Sequence, residues 1–170
     1  MKKFNIKKLA IAAVFAALAV VGSLLSFPVF GSKCAPVQHF VNVISAVLLG
    51  PWYTVGAAFA ASLIRNLMGL GTPLAFPGSM CGALLAGVLY HYIKKLPAAY
   101  IGEVFGTGII GAMISYPVAF FVMGNKAAAI FTFVVPFLIS TVAGTIIAVA
   151  VTITLKTSGV LTKIKDEIEQ

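Results

Sequence analysis

Six apolar runs, separated by very short connections, constrain this chain more than any other feature. A helix that crosses a bilayer needs about 20 residues, so the second run is too short to cross unaided and the last two are long enough to tilt or break. Hydrophobic residues make up 61% of the sequence and charged residues 9%. The pattern predicts an all-α membrane protein, a compact bundle of six transmembrane helices in one domain, 1–170. The runs span residues 9–25, 37–49, 52–68, 74–92, 98–123 and 127–155.

The positions of the cations predict how the bundle is oriented. With the N-terminus inside, most of the 12 Lys and Arg fall on the inner side, and cytoplasmic ends of membrane proteins collect these residues. Six spans then place both termini in the cytoplasm, and the net charge of +8 reflects topology in a cell membrane rather than binding to nucleic acid. The inner cations are Lys2, Lys3, Lys7, Lys8, Lys94, Lys95, Lys156, Lys163 and Lys165.

The two ends of the chain invite separate expectations. The first run has the basic start and apolar core of a signal peptide, but no convincing small-x-small cleavage site precedes a polar domain. We therefore expect it to be retained as the first helix. The tail, 163–170, mixes acidic and basic residues and is typical of a solvated helical end.

Most of the prolines fall toward the predicted outer side. Proline breaks a helix because it lacks a backbone donor, and irregular backbone in a bilayer persists only where it is buried in protein or lines a wet cavity. We therefore expect a pocket in the outer half, although proline is also commoner in membrane helices than in soluble ones. The outer prolines are Pro28, Pro36, Pro73, Pro77, Pro117 and Pro136.

Polar side chains converge on the same outer half. Gln38, His39 and Asn42 share one face of the short second helix because they lie three and four residues apart. Such groups are costly against lipid and should face one another or a ligand. A packing role for His39 and a snorkelling role for Arg65 are the structural alternatives. The predicted ligand-binding residues here are Lys33, Gln38, His39, Asn42, Arg65 and Asn66.

Two residues of the fifth run complete the predicted site. Glu103 is the only acidic residue inside a run, and an intramembrane carboxylate is a functional candidate by default. Glu103 should lie nearer the cytoplasm than Arg65, so we do not expect the two to pair; pocket floor, structural acceptor and interface group stay open as its roles. Tyr116 offers a ring for a planar ligand, although an aromatic residue on a membrane helix more often packs.

Catalytic and metal-binding patterns are weak. Cys34 and His39 could act as a thiol and a base, but no third orienting group follows at a recognisable spacing. Cys34, His39 and Cys81 lack the local Cys-x-x-Cys spacing of a soft metal site. The chain has no Gly-Lys-Ser/Thr phosphate-binding loop, so any active transport would need energy from elsewhere. The sequence favours a binding protein without a cofactor of its own over an enzyme.

Small residues in the first run allow another helix to approach closely. Ala12, Ala13, Ala16 and Ala17 form two overlapping small-xxx-small pairs. The spacing alone leaves packing inside this bundle and docking on a partner equally open.

Several stretches resemble the ThiW family of substrate-binding S components of energy-coupling factor (ECF) vitamin transporters. The Ala-xxx-Ala pattern of the first helix and the Leu-Leu-Gly-Pro turn at 48–51 are similar to S components in general. The narrower resemblance to ThiW lies in Lys-Cys-Ala-Pro-Val-Gln-His at 33–39, Arg-Asn-Leu at 65–67, Ala-Phe-Pro-Gly-Ser-Met at 75–80 and Gly-Glu-Val at 102–104.

This resemblance implies a prokaryotic protein that binds the thiazole moiety of thiamine, hydroxyethylthiazole. It further implies docking on a transmembrane T component with two ATPases, which would consume the ATP. Ala12 and Ala16 match the docking pattern, whereas the ligand residues are inferred from depth and polarity. Two other expectations stay open: an S component for hydroxymethylpyrimidine or thiamine, and an intramembrane enzyme that uses Cys34 or His39.

Overall fold

Helices dominate the computed structural model of the chain, which describes residues 5–30 and 32–169. Each predicted apolar run coincides with a helix, as the all-α prediction states. A short antiparallel hairpin, β1 (Phe27–Val29) and β2 (Ser32–Cys34), is the exception. The helices within the described residues are α1 (Ile6–Gly22), α2 (Pro36–Leu49), α3 (Pro51–Leu67), α4 (Ala75–Ile93), α5 (Leu96–Val122), α6 (Val134–Thr157) and α7 (Val160–Glu169).

The lengths of the helices agree with a membrane protein. In the described part of the chain, three helical segments are long and apolar enough to cross a bilayer: Ile6–Leu25, Leu96–Val122 and Val134–Thr157. Helix α2 is apolar but has only 14 residues, as its run predicted. The count of six crossings and the cytoplasmic location of both termini stay predictions.

Proline and glycine set the boundaries between the first helices. Pro36 and Pro51 stand at the starts of α2 and α3, where proline costs no intrahelical hydrogen bond and its fixed φ suits a helix. Gly50 separates α2 from α3 with a φ of 83°, a left-handed conformation that glycine adopts without strain. The chain therefore reverses between α2 and α3 without a loop.

Helix α5 packs very closely against α4. Two π-helical turns, Gly106–Gly111 and Val118–Val122, interrupt its α-helical geometry, and such turns often occur at functional sites. A Cβ atom added to Gly82 of α4 would lie 2.1 Å from Thr107 Oγ1 and 2.6 Å from Glu103 Oε2. Glycine at position 82 thus leaves the space in which these two side chains of α5 lie.

Lysines gather at one end of the molecule, which we call the lysine-rich end. The side-chain amide of Asn5 donates to the Ile168 carbonyl over 3.1 Å, and Lys165 bonds the Tyr90 hydroxyl. These contacts bring together the start of α1, the end of α4 and helix α7. With Lys156 at the end of α6, the lysines at this end are Lys7, Lys8, Lys94, Lys95, Lys156, Lys163 and Lys165; Lys2 and Lys3 lie outside the described residues.

Helix α7 is more than a solvated tail, so that interpretation of the sequence needs correction. Leu161 and Ile168 are 6% and 3% exposed, and Ile168 belongs to the same apolar core cluster as Ala12 and Ala57. The charged residues of the tail made it resemble a solvated segment, but α7 is strongly amphipathic and its apolar face packs against the lysine-rich end.

The small residues of α1 are divided between the core and the surface. Ala12 and Ala16 are buried in an apolar cluster with Ala57 and Ala61 of α3, because four small side chains let the two helices approach closely. Their position therefore agrees with packing inside the bundle rather than with an open docking face. Ala13 and Ala17, the other small-xxx-small pair, are exposed.

Candidate functional site

A small polar cavity lies at the end of the bundle opposite the lysine-rich end. Its volume is about 50 Å³. The hairpin and the start of α2 form one wall, the end of α3 and the turn after it form a second, and α4, α5 and α6 close it. The residues that line it are Ser32, Lys33, Ala35, Gln38, His39, Arg65, Gly71, Thr72, Leu74, Ala75, Gly78, Ser79, Thr107, Phe137 and Ser140.

A buried carboxylate organises the inner side of this cavity. Glu103 is 0% exposed, and its Oε1 lies 2.8 Å from His39 Nδ1, 3.2 Å from Asn42 Nδ2 and 3.0 Å from Thr107 Oγ1. The amide nitrogen of Asn42 can only donate, and Thr107 donates here, so Oε1 accepts at least two hydrogen bonds. Glu103 therefore connects α2 to α5 through three hydrogen-bond partners.

His39 connects this hydrogen-bond network to the lining of the cavity. Its Nε2 lies 3.1 Å from Ser140 Oγ, which also accepts a 2.9 Å hydrogen bond from the Ala35 backbone N–H. If Nδ1 donates to Glu103, neutral His39 accepts at Nε2 from the Ser140 hydroxyl; this tautomer is inferred from the network. Hydrogen bonds to Ser140 on one side and to Glu103 on the other thus hold the His39 imidazole in place in the cavity lining.

Close approach of α2 and α6 makes this network possible. A Cβ atom on Gly144 would lie 2.2 Å from the Pro36 carbonyl oxygen and 2.7 Å from His39 Cβ. Glycine at this position of α6 admits the first turn of α2, which brings His39 within reach of Ser140 one turn earlier on α6.

Arg65 presents unsatisfied donors to the cavity. The residue is 3% exposed, and its Nε and Nη1 atoms are buried without a hydrogen-bond partner. Ser32 Oγ, in the same lining, is also buried and unpartnered. A guanidinium group has donors and no acceptor, and leaving it uncompensated in a buried site is costly. These atoms are the part of the cavity best suited to a ligand.

The predicted ligand residues are distributed over three environments. Lys33, Gln38, His39 and Arg65 line the cavity. Asn42 and Glu103 lie behind His39, where they hold it in place. As expected, Glu103 makes no ion pair with Arg65; its Oε1 lies 2.8 Å from His39 Nδ1 instead.

Asn66 and Tyr116, also predicted as ligand residues, lie elsewhere. Asn66 donates to the carbonyls of Ser62 and Thr72 over 2.8 and 3.1 Å, so it closes the turn between α3 and α4. Tyr116 packs against an apolar cluster, and its ring centroid lies 5.9 Å from that of Phe120. Neither residue lines the cavity.

Hydroxyl residues of the site were missed by the sequence analysis. Ser140, Thr107 and Ser32 line the cavity, and Ser140 bonds His39. Serine and threonine in a membrane helix often bond only to a carbonyl of the preceding turn, as Ser115 and Thr154 do here. A hydroxyl in an apolar run is therefore a weak sequence signal for a site.

Cys34 is not arranged as a nucleophile. Its Sγ donates to the Pro136 carbonyl over 3.3 Å, and burial raises the pKa of the thiol, opposed by a smaller effect of its hydrogen bond with Ser140. A thiol rather than a thiolate is a poor nucleophile. Cys34 and Cys81 are both free, and within the described residues no three His, Cys, Asp or Glu side chains are placed to hold a metal ion.

A second depression, with a volume of about 480 Å³, is larger but almost entirely apolar. It lies between α5 and α6 and is lined by Tyr100, Ile101, Val104, Phe105, Ile109 and Leu138. The hydroxyl of Tyr100 bonds Thr152. The smaller cavity is the better candidate because selective sites combine an apolar wall with a few placed polar groups.

The fold and the site together define a multi-pass membrane protein with a small polar cavity at one end of its helices. A family described as thiamine-precursor transporter protein (ThiW) matches residues 9–158. Because the match covers most of the chain, the protein belongs to this family, whose members are transporter components and not enzymes. The resemblance inferred from the sequence is thereby confirmed. No curated protein matches the chain.

Proposed function

We propose that the protein is the substrate-binding S component of an ECF-type importer that takes up the thiazole moiety of thiamine, hydroxyethylthiazole. The observation that carries the proposal is the polar cavity, whose lining includes both His39 and Arg65 together with apolar residues. Membership in a family of thiamine-precursor transporters supports a ligand of this kind.

The chemistry of the cavity suits a small heteroaromatic ligand. A thiazole ring has one nitrogen acceptor, a flat apolar face and, in hydroxyethylthiazole, a hydroxyl arm. Gln38 and Arg65 supply donors, and Phe137 supplies an apolar wall. Hydrogen bonds to placed polar groups inside an apolar site give specificity.

The cavity has to widen to admit such a ring. Its volume of about 50 Å³ is well below the roughly 300–1,000 Å³ of typical ligand pockets. The hairpin that carries Ser32 and Lys33 is the wall most easily moved, because an exposed 3.3 Å hydrogen bond from Lys33 Nζ to the Leu70 carbonyl connects it to the turn after α3. Slower hydrogen exchange of residues 27–35 with ligand bound would support this movement, and unchanged exchange would contradict it.

The proposed transport cycle needs partner proteins. The chain lacks a nucleotide-binding loop, so two ATPases and a transmembrane T component would supply the energy. Docking would use the exposed Ala13 and Ala17 stripe of α1 rather than the buried Ala12 and Ala16. Ala17→Trp should prevent co-purification with the T component while ligand binding persists, whereas Ile146→Trp, on the exposed surface of α6, should not. Equal co-purification of both variants would contradict this docking face.

Ligand identity is tested by titration. The purified protein is titrated with hydroxyethylthiazole, hydroxymethylpyrimidine and thiamine, and complexes are counted by native mass spectrometry. We expect one thiazole per chain at micromolar concentration and much weaker binding of the other two. Preferential binding of the pyrimidine or of thiamine would indicate an S component for another precursor, and absence of thiazole binding would reject the proposal.

A further inference from the structure

Three unpartnered polar atoms lie in the lining of one cavity. They are Nε and Nη1 of Arg65 and Oγ of Ser32. Arg65 is 3% exposed and Ser32 is 6% exposed, so water on the outer surface cannot fully solvate them. Both residues line the same cavity as His39. They form a cluster that requires acceptor atoms.

The charges of the cavity are also unbalanced. Lys33 and Arg65 line it, and none of the described lining residues is acidic. Glu103, the carboxylate nearest in the bundle, bonds His39, Asn42 and Thr107 through Oε1, and the other acidic residues lie at positions 166–169. An anion in the cavity would therefore compensate a buried guanidinium that the chain itself leaves unpaired.

From this cluster we infer that the preferred substrate is the phosphate monoester of the thiazole alcohol, with its phosphate at Arg65, Ser32 and Lys33. The inference rests on the proposed function and names the form of the ligand. A phosphate monoester carries a charge of about −1.5 to −2 at pH 7 and three acceptor oxygens. Two cations and a hydroxyl match that charge and that number of acceptors, whereas a carboxylate would balance only one cation.

Calorimetric titration of the whole protein in detergent tests the inference. The ligands are hydroxyethylthiazole, its phosphate monoester, a thiazole with a carboxylate on the same arm, and inorganic phosphate. We expect the monoester to bind about tenfold or more tightly than the alcohol, since hydrogen bonds to charged groups are the strong ones. The carboxylate should lie between the two, and inorganic phosphate should compete with the monoester only weakly.

Variants separate recognition of charge from a structural role of Arg65. In Arg65→Gln the preference for monoester over alcohol should fall to about one, and in Arg65→Lys, which keeps the charge but loses the planar fork, it should fall less. Lys126→Gln is the matched control, because it removes one positive charge from an exposed side chain that contacts Phe120 and should keep the full preference.

Two results would overturn the inference in different ways. Equal or tighter binding of the alcohol, or a preference that survives Arg65→Gln, would reject the phosphate site while leaving thiazole binding intact. If neither hydroxyethylthiazole nor its phosphate monoester binds, both the proposed function and the inference are rejected.

Discussion

At the residue scale, Glu103 holds the site together by collecting donors from two helices. Its carboxylate bonds His39 and Asn42 of α2 and Thr107 of α5, all of them buried. Several hydrogen-bond partners replace the water around Oε1, whereas Oε2 is buried without a hydrogen-bond partner. Glu103 thus serves as a structural acceptor that orients His39, one of the roles left open by the sequence.

Replacement of Glu103 with alanine should destabilise the protein strongly. The change removes the acceptor of buried His39 Nδ1 and one of the acceptors of Asn42 and of Thr107, and leaving a buried donor unsatisfied costs about 1–3 kcal/mol. Unfolding in detergent micelles, followed by circular dichroism, measures the loss. Glu167→Gln, which neutralises an exposed carboxylate of α7, should change the stability by less than about 0.5 kcal/mol. Similar stabilities of the two variants would show that the Glu103 network contributes little.

Sequence could identify these residues but not their partners. Polar type and depth singled out His39 and Glu103 separately, yet 64 positions separate them along the chain. Helical periodicity relates residues three and four apart and carries no information about contacts between helices. The same limit applies to Tyr116. Its aromatic ring made it a candidate for binding a planar ligand, but the residue packs against an apolar cluster that includes Leu74 and Phe133.

At the scale of elements, glycines decide how closely the helices approach. Gly82 of α4 faces Glu103 and Thr107, whereas Gly56 of α3 has no atom within 4 Å of where a Cβ would lie. The two residues have the same type and the same kind of helix around them, so they form a matched pair.

Gly82→Ala should destabilise the bundle, and Gly56→Ala should not. The added methyl group at position 82 would meet Thr107 Oγ1 and Glu103 Oε2, and overpacking of this kind costs about 1–3 kcal/mol. At position 56 alanine has free space and a better helix propensity by up to about 1 kcal/mol. Parallel thermal unfolding of the two variants compares them; a more stable Gly82→Ala protein would contradict the close packing of α4 on α5.

Hydropathy predicted the helices well and the connections poorly. The last run was predicted to start at residue 127, but α6 begins only at Val134. Residues 127–133 are largely apolar, yet they lie in turns rather than in a helix. The hairpin at residues 27–34 was not predicted either. Hydropathy reports the solvent that a segment prefers and cannot distinguish an apolar turn from an apolar helix.

At the scale of the whole molecule, charge and cavity lie at opposite ends. The lysine-rich end contains the described starts of α1 and α3, the end of α4 and all of α7, whereas the cavity is formed by the hairpin, the end of α3 and the starts of α4 and α6. If the lysines face the cytoplasm, the cavity opens toward the outside, as the proposed uptake function requires.

Cysteine labelling tests this orientation. In a Cys34→Ala/Cys81→Ala background, Asn125→Cys lies in the loop at the cavity end and Ser158→Cys lies at the lysine-rich end; both positions are exposed. A membrane-impermeant maleimide should label Asn125→Cys in intact cells and Ser158→Cys only after lysis. The reverse pattern would place the cavity in the cytoplasm.

Binding to a protein whose cavity has been filled tests the central claim most directly. Ala75 lines the cavity, so Ala75→Leu reduces its volume, whereas Ala17→Leu adds the same atoms to the exposed face of α1. Equilibrium dialysis with radiolabelled hydroxyethylthiazole and with its phosphate monoester measures the number of ligands bound per chain. We predict one site in the parent protein and in Ala17→Leu, and binding weakened at least tenfold in Ala75→Leu. Undiminished binding by a correctly folded Ala75→Leu protein would show that the ligand binds elsewhere.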